Sequence, residues 1–246
     1  MISPILLLML FSAGVVGGVL ALPMRAQATK TSWLCLGGTF AGGAFLATVL
    51  FELGPEALET LGVWWALLSA VGIILFLGWL DRQGHHAHAE IHGCHPHGGG
   101  SPAKPYILGA MLGFHSLLEG LALGSVAVGG AREALALAIL FHKATDTFAL
   151  AVTLVRYGVS RTKIVGATVI LSLASPLGAL LASIADLSGP HLLHGILAAT
   201  TAGTFLYLAG SDLLVPELKD KEGRGVKIVA AMVGFSILGL AVWMGS

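Results

Sequence analysis

"GFHSLLEGLALG", residues 113–124, sets a histidine and a glutamate four residues apart in a stretch with little other polarity. Its surroundings decide how it is read. Of 246 residues, 56% are hydrophobic and 11% charged, and mean hydropathy is +0.88. A soluble domain carries roughly 25% charged residues, so the composition indicates an integral membrane protein. Net charge is zero, which gives no reason to bind nucleic acid, and no Walker-type loop for a nucleotide occurs. Of the two cysteines, Cys35 lies in an apolar run and Cys94 in a histidine-rich loop, so no structural disulfide is expected.

A bilayer core of ~30 Å takes about 20 helical residues. Eight such stretches are found: about 4–22, 33–53, 62–80, 106–128, 133–156, 162–185, 191–215 and 226–245. They are too long and too continuously apolar for the alternating strands of a barrel. Residues 1–22 lack the basic start of a cleaved signal peptide and are read as a retained first span. The predicted fold is therefore all-α.

Lysine and arginine set the orientation. Loops after spans 1, 3, 5 and 7 carry eleven of them: Arg25, Lys30, Arg82, Lys104, Arg156, Arg161, Lys163, Lys219, Lys221, Arg224 and Lys227. The alternate loops carry only Arg132. Both termini are expected to be extracytoplasmic, and the 81–105 loop cytosolic, in a plasma (inner) membrane.

The second span contains "FLATVLFELGPEAL" from Phe45, and the seventh "FLYLAGSDLLVPEL" from Phe205. Each runs from Phe-Leu through an acid to Pro-Glu, and the two spans run in opposite directions. Spans 1–3 and 6–8 are thus expected to form an inverted repeat around a central pair, spans 4 and 5.

The fifth span repeats the arrangement of the opening stretch. "FHKATDTFAL" sets His142 and Asp146 four residues apart, as His115 and Glu119 are, so each pair shares a helix face. His115 falls about 13 Å from the inner end of its span, and His142 about 13 Å from the outer end of the next. Antiparallel packing brings Glu119 level with His142, and His115 level with Asp146. An ionised group at the bilayer centre costs roughly 2.5–3.5 kcal/mol on insertion scales. A shared divalent cation would satisfy all four, and this donor set suits Zn²⁺, with Cd²⁺, Fe²⁺ or Mn²⁺ as further candidates. Lys143 cannot ligate a metal. Its ammonium puts one positive charge where a second cation would otherwise sit, and Ser116, beside His115 as Lys143 is beside His142, is expected to line that position with it.

At these residues the chain resembles the ZIP (Zrt/Irt-like) family of divalent metal transporters, over nearly its whole length. "FHSLLEGLALG" is the specific match, and the stretches from Phe45 and Ala202 support it. The resemblance implies a single transmembrane domain over 1–246 and metal uptake into the cytoplasm. It also implies metal ligation by His115, Glu119, His142 and Asp146. Spans 1, 4, 5 and 6 would move against 2, 3, 7 and 8 in alternating access. Some relatives share the lysine after the fifth-span histidine. Leu118 and Thr145 stand where many members have proline, and Asp146 where many have glutamate.

Glu52 and Glu56 are expected to form an acidic entrance that concentrates cations, and Asp212 and Glu217 to lie towards the exit. The loop from His85 offers His85, His86, His88, His92, Cys94, His95 and His97, a composition that binds metals adaptably. Expected partners are the divalent ion, the lipid bilayer and a second copy of the chain in a homodimer. An intramembrane zinc-dependent hydrolase is the alternative, disfavoured because no HExxH motif is present and both carboxylates serve as ligands. No enzymatic activity is expected.

Overall fold

The computed structural model describes residues 3–23, 33–84, 104–126, 129–184 and 191–245, and among them every regular element is helical. The elements are α1 (Pro4–Leu20), α2 (Trp33–Thr48), α3 (Gly54–Leu61), α4 (Val63–Gly84), α5 (Lys104–Ser125), α6 (Gly130–Arg156), α7 (Arg161–Ile184), α8 (His191–Leu208), α9 (Val215–Lys219) and α10 (Arg224–Gly245). Two wide π-helical turns, Val49–Leu53 and Ala209–Leu214, join α2 to α3 and α8 to α9. All eight expected stretches are helical over most of their length. Four helical segments are long and apolar enough to cross a membrane: Trp33–Leu61, Leu135–Arg156, Arg161–Ile184 and Arg224–Trp243. Pro4–Leu20 and Val63–Trp79 are apolar but shorter.

Polarity is distributed as lipid requires. Trp64, Ile170, Ile184 and Trp243 stand at the surface, while Lys143, Asp146, Thr147 and Ser172 are fully buried. In water, so extensive an apolar surface would be a liability. Buried hydroxyls are mostly satisfied within their own helices, as in Thr39 to Cys35 O, Thr48 to Ala44 O and Ser172 to Thr168 O.

The wide turns have a local cause. Pro55 and Pro216 each follow one by two residues. A proline ring collides with the carbonyl four residues back and supplies no N–H. Widening the helix lets the preceding residue bond one position farther back: Gly54 N–H to Val49 O, and Val215 N–H to Gly210 O. The second wide turn has six residues and the first five. Three residues stand between Asp212 and Pro216 where two stand between Glu52 and Pro55, and the longer turn absorbs the difference. The first wide turn carries the second span on to Leu61, beyond the expected end at 53.

Close helix crossings position the centre. A Cβ on Gly120 would lie 2.1 Å from the Ser175 carbonyl oxygen, and one on Gly178 would lie 2.3 Å from that of Leu117. Only glycine permits this contact of α5 with α7. Elsewhere α2 packs on α10, α4 on α8, and α1 on α6 and α7. Thr147 Oγ1 donates to Gly14 O at 2.6 Å, tying α6 to α1. One expectation is corrected: Cys35 is disulfide-bonded. The sequence argument weighed surroundings and compartment, and neither measures which sulfurs the fold brings together.

Candidate metal-binding site

His115 and Glu119 project from α5, and His142 and Asp146 from α6, and all four are buried. Each offers a ligand atom, and these atoms lie within 4.8 Å of one another. The cross-helix pairing follows from antiparallel depth. Glu119 Oε1 accepts from His142 Nε2 at 2.5 Å, and His115 Nε2 lies 3.8 Å from Asp146 Oδ2. His115 Nε2 also contacts Glu119 Oε1. Both imidazoles therefore turn their Nε2 atoms towards one carboxylate oxygen, as ligands gathered about a point do. Both Asp146 oxygens and His115 Nδ1 are buried without a hydrogen-bond partner. Orphaned buried acceptors are costly, and a cation at the centre would satisfy the carboxylate.

Glu52 was expected at an entrance. The structure places it deeper, with Oε2 3.7 Å from His142 Nδ1 and its side chain 10% exposed. The cause is the wide turn: the span continues past Glu52, leaving it within the helix, while Glu56 is half-buried in the next turn. Phe205 of α8 packs on the other side of the site, with its ring 4.1 Å from that of His115 and edge-on to His142 at 6.0 Å. It stacks on Phe45 at 4.4 Å with 3° between the planes, and both rings are fully buried. Phe45 precedes Glu52 on the same span by about 10 Å of axial rise, so the aromatic pair and the acid flank the cluster at different depths.

Lys143 is fully buried beside the cluster. Its ammonium donates to Ser175 Oγ at 2.8 Å, and that hydroxyl approaches Glu119 Oε2 at 3.5 Å. Ser116 is buried too, but its hydroxyl makes no hydrogen bond. The lysine thus reaches Ser175 on α7, a residue that the sequence reading did not single out. Its only signal was a small polar residue before a mid-span proline.

Asp212 lies in the second wide turn, partly buried. Glu217 is 2% exposed, pairs with Arg156 Nη1 at 2.9 Å and Lys227 Nζ at 3.4 Å, and so already has cationic partners. His85, His86, His88, His92, Cys94, His95 and His97 lie outside the described residues.

The family model described as ZIP Zinc transporter matches residues 80–241. Zinc transporter ZIP1 of Mus musculus is 31% identical over 259 residues, spanning 87% of this chain and 79% of that protein. The Homo sapiens ZIP1 is 29% identical over 257 residues, with the same coverage of 87% and 79%. Zinc transporter ZIP2 of Homo sapiens is 34% identical over 157 residues, spanning 62% of this chain and 51% of that protein.

Proposed function

Because this chain belongs to the ZIP zinc transporter family, we propose that it takes up divalent cations, Zn²⁺ foremost, through the site on α5 and α6. The carrying observation is four buried donors whose ligand atoms lie within 4.8 Å of one another. Charge supports a single ion. With the histidines neutral, Glu52, Glu119 and Asp146 against Lys143 leave a formal charge of two negative, which one divalent cation cancels. A second would leave the same magnitude with the opposite sign, in a medium that penalises net charge heavily. Lys143 occupies the place of that second ion.

The path runs from Glu56 and Glu52 to the cluster, and then past the Phe45–Phe205 stack towards Asp212. The aromatic pair, whose two rings are fully buried, is the inner barrier. Both termini are extracytoplasmic and the histidine-rich loop cytosolic, as the lysine and arginine distribution favours. The eight spans form an inverted repeat. Several features support it: the matched wide turns before Pro55 and Pro216, the equivalent positions of Phe45 and Phe205, and the packing of α2 on α10 beside that of α8 on α4. Alternating access then moves α1, α5, α6 and α7 against the remaining spans, driven by gradient and membrane potential.

Purified protein in proteoliposomes tests the reading. Zinc uptake is expected, with Cd²⁺, Fe²⁺ and Mn²⁺ competing less well; vesicles that take up no divalent metal would end it. Anomalous scattering from zinc-soaked crystals should show one ion between α5 and α6. Lys143→Asp should admit a second, and two ions in the unaltered protein would refute the role given to Lys143.

A further inference from the structure

Ser175 departs from its neighbours. Ser172, Thr153 and Thr204 all return their hydroxyl hydrogens to carbonyls on their own helices, the usual habit of helical hydroxyls. Ser175 does not. Its Oγ accepts from Lys143 Nζ at 2.8 Å and points at Glu119 Oε2 at 3.5 Å, and all three residues are buried. The direction of this chain is fixed by chemistry: an ammonium only donates, an ionised carboxylate only accepts, and a hydroxyl does both. The glycine-mediated crossing of α5 and α7 at Gly120 and Gly178 brings the serine there.

Glu119 is thereby divided. Its Oε1 meets the two imidazoles, and its Oε2 faces Ser175. We propose that Ser175 is a positioning residue of the metal site, holding the Lys143 ammonium one hydroxyl away from Glu119 so that this carboxylate stays available to the cargo ion. The proposal rests on the reading of the α5/α6 cluster as the metal site. Without the hydroxyl, the ammonium is left buried and unpartnered, a costly state. Glu119 is its nearest remedy, and a direct Lys143–Glu119 pair competes with zinc for the ligand. Ser175 is then specific to a site that contains a lysine, and its value depends on that charge.

A double-mutant cycle tests this. Four proteins are compared: wild type, Ser175→Ala, Lys143→Met and the double variant. Zinc affinity is read by calorimetry in detergent, and KM and maximal rate by uptake into proteoliposomes. Loss of a hydrogen bond to charged groups predicts that Ser175→Ala weakens zinc binding and raises KM about tenfold. In the Lys143→Met background the same change should cost less than about twofold. Wild-type affinity in Ser175→Ala, or an equal loss in both backgrounds, overturns the proposal, since a packing role would not depend on the charge. Should the alanine variant fail to fold, Ser175→Cys, close in size with a weak donor, must still lose affinity in a Lys143-dependent way. Failure of the underlying reading looks different: zinc binding and uptake in the wild type would then be absent, or indifferent to Glu119→Ala.

Discussion

Replacing Glu119 by alanine is expected to abolish zinc uptake, with the initial rate in proteoliposomes falling more than about 100-fold, beyond the 10–100-fold common for residues that merely support metal ligands. Glu119 Oε1 is where the two imidazoles meet, and Oε2 faces Ser175. Alanine removes a donor, opens a space between α5 and α6, and leaves Lys143 with one carboxylate fewer to offset it. His142→Ala should fall less far, because it removes a neutral donor and leaves both carboxylates, Glu119 and Asp146, to offset the ion's charge. A folded Glu119→Ala protein, with its melting temperature preserved, that carried zinc at the wild-type rate would remove this residue from the transport path.

The pairing of α5 with α6 was legible because it depends on two local quantities. The four-residue spacing fixes a face, and the rise per residue fixes depth. Nothing about the rest of the fold was needed to set Glu119 beside His142. Ser175 could not be read in this way. Its contact with Lys143 depends on which face α7 turns to α5, and that was decided by the glycines of a crossing between helices distant in sequence. The closeness of Glu52 to His142 was hidden for another reason: it depends on a helix that widens before Pro55 and runs to Leu61, where the sequence suggested a span ending near residue 53. The prolines were visible, but whether a helix stops, kinks or widens at proline is settled by packing around it. The cationic loop residues were counted for orientation, and a count does not say that Arg156 and Lys227 converge on Glu217.

That convergence carries the second large effect. Glu217→Ala is expected to destabilise the fold by about 3–5 kcal/mol, the usual consequence of removing one partner from a buried ion pair, and to lower the melting temperature in detergent whether or not zinc is present. Lys227 is 2% exposed and keeps only Asp220 Oδ2, at 2.9 Å, as an anionic partner. Arg156 loses its carboxylate and keeps the Leu34 carbonyl at 2.6 Å. The shift should persist in high salt, because buried charges are poorly screened. The network also distinguishes tie from gate. Arg156 lies on α6, in the group proposed to move, whereas Leu34, Glu217 and Lys227 lie on spans proposed to stay. Breaking the Arg156 contact therefore frees a boundary, and breaking the Lys227 contact loosens only one side of it. Arg156→Ala should change the maximal rate of zinc uptake more than Lys227→Ala does, even where the two lose comparable stability. If the rates of both variants simply follow their melting temperatures, the network fastens the helix ends together and plays no part in moving the ion.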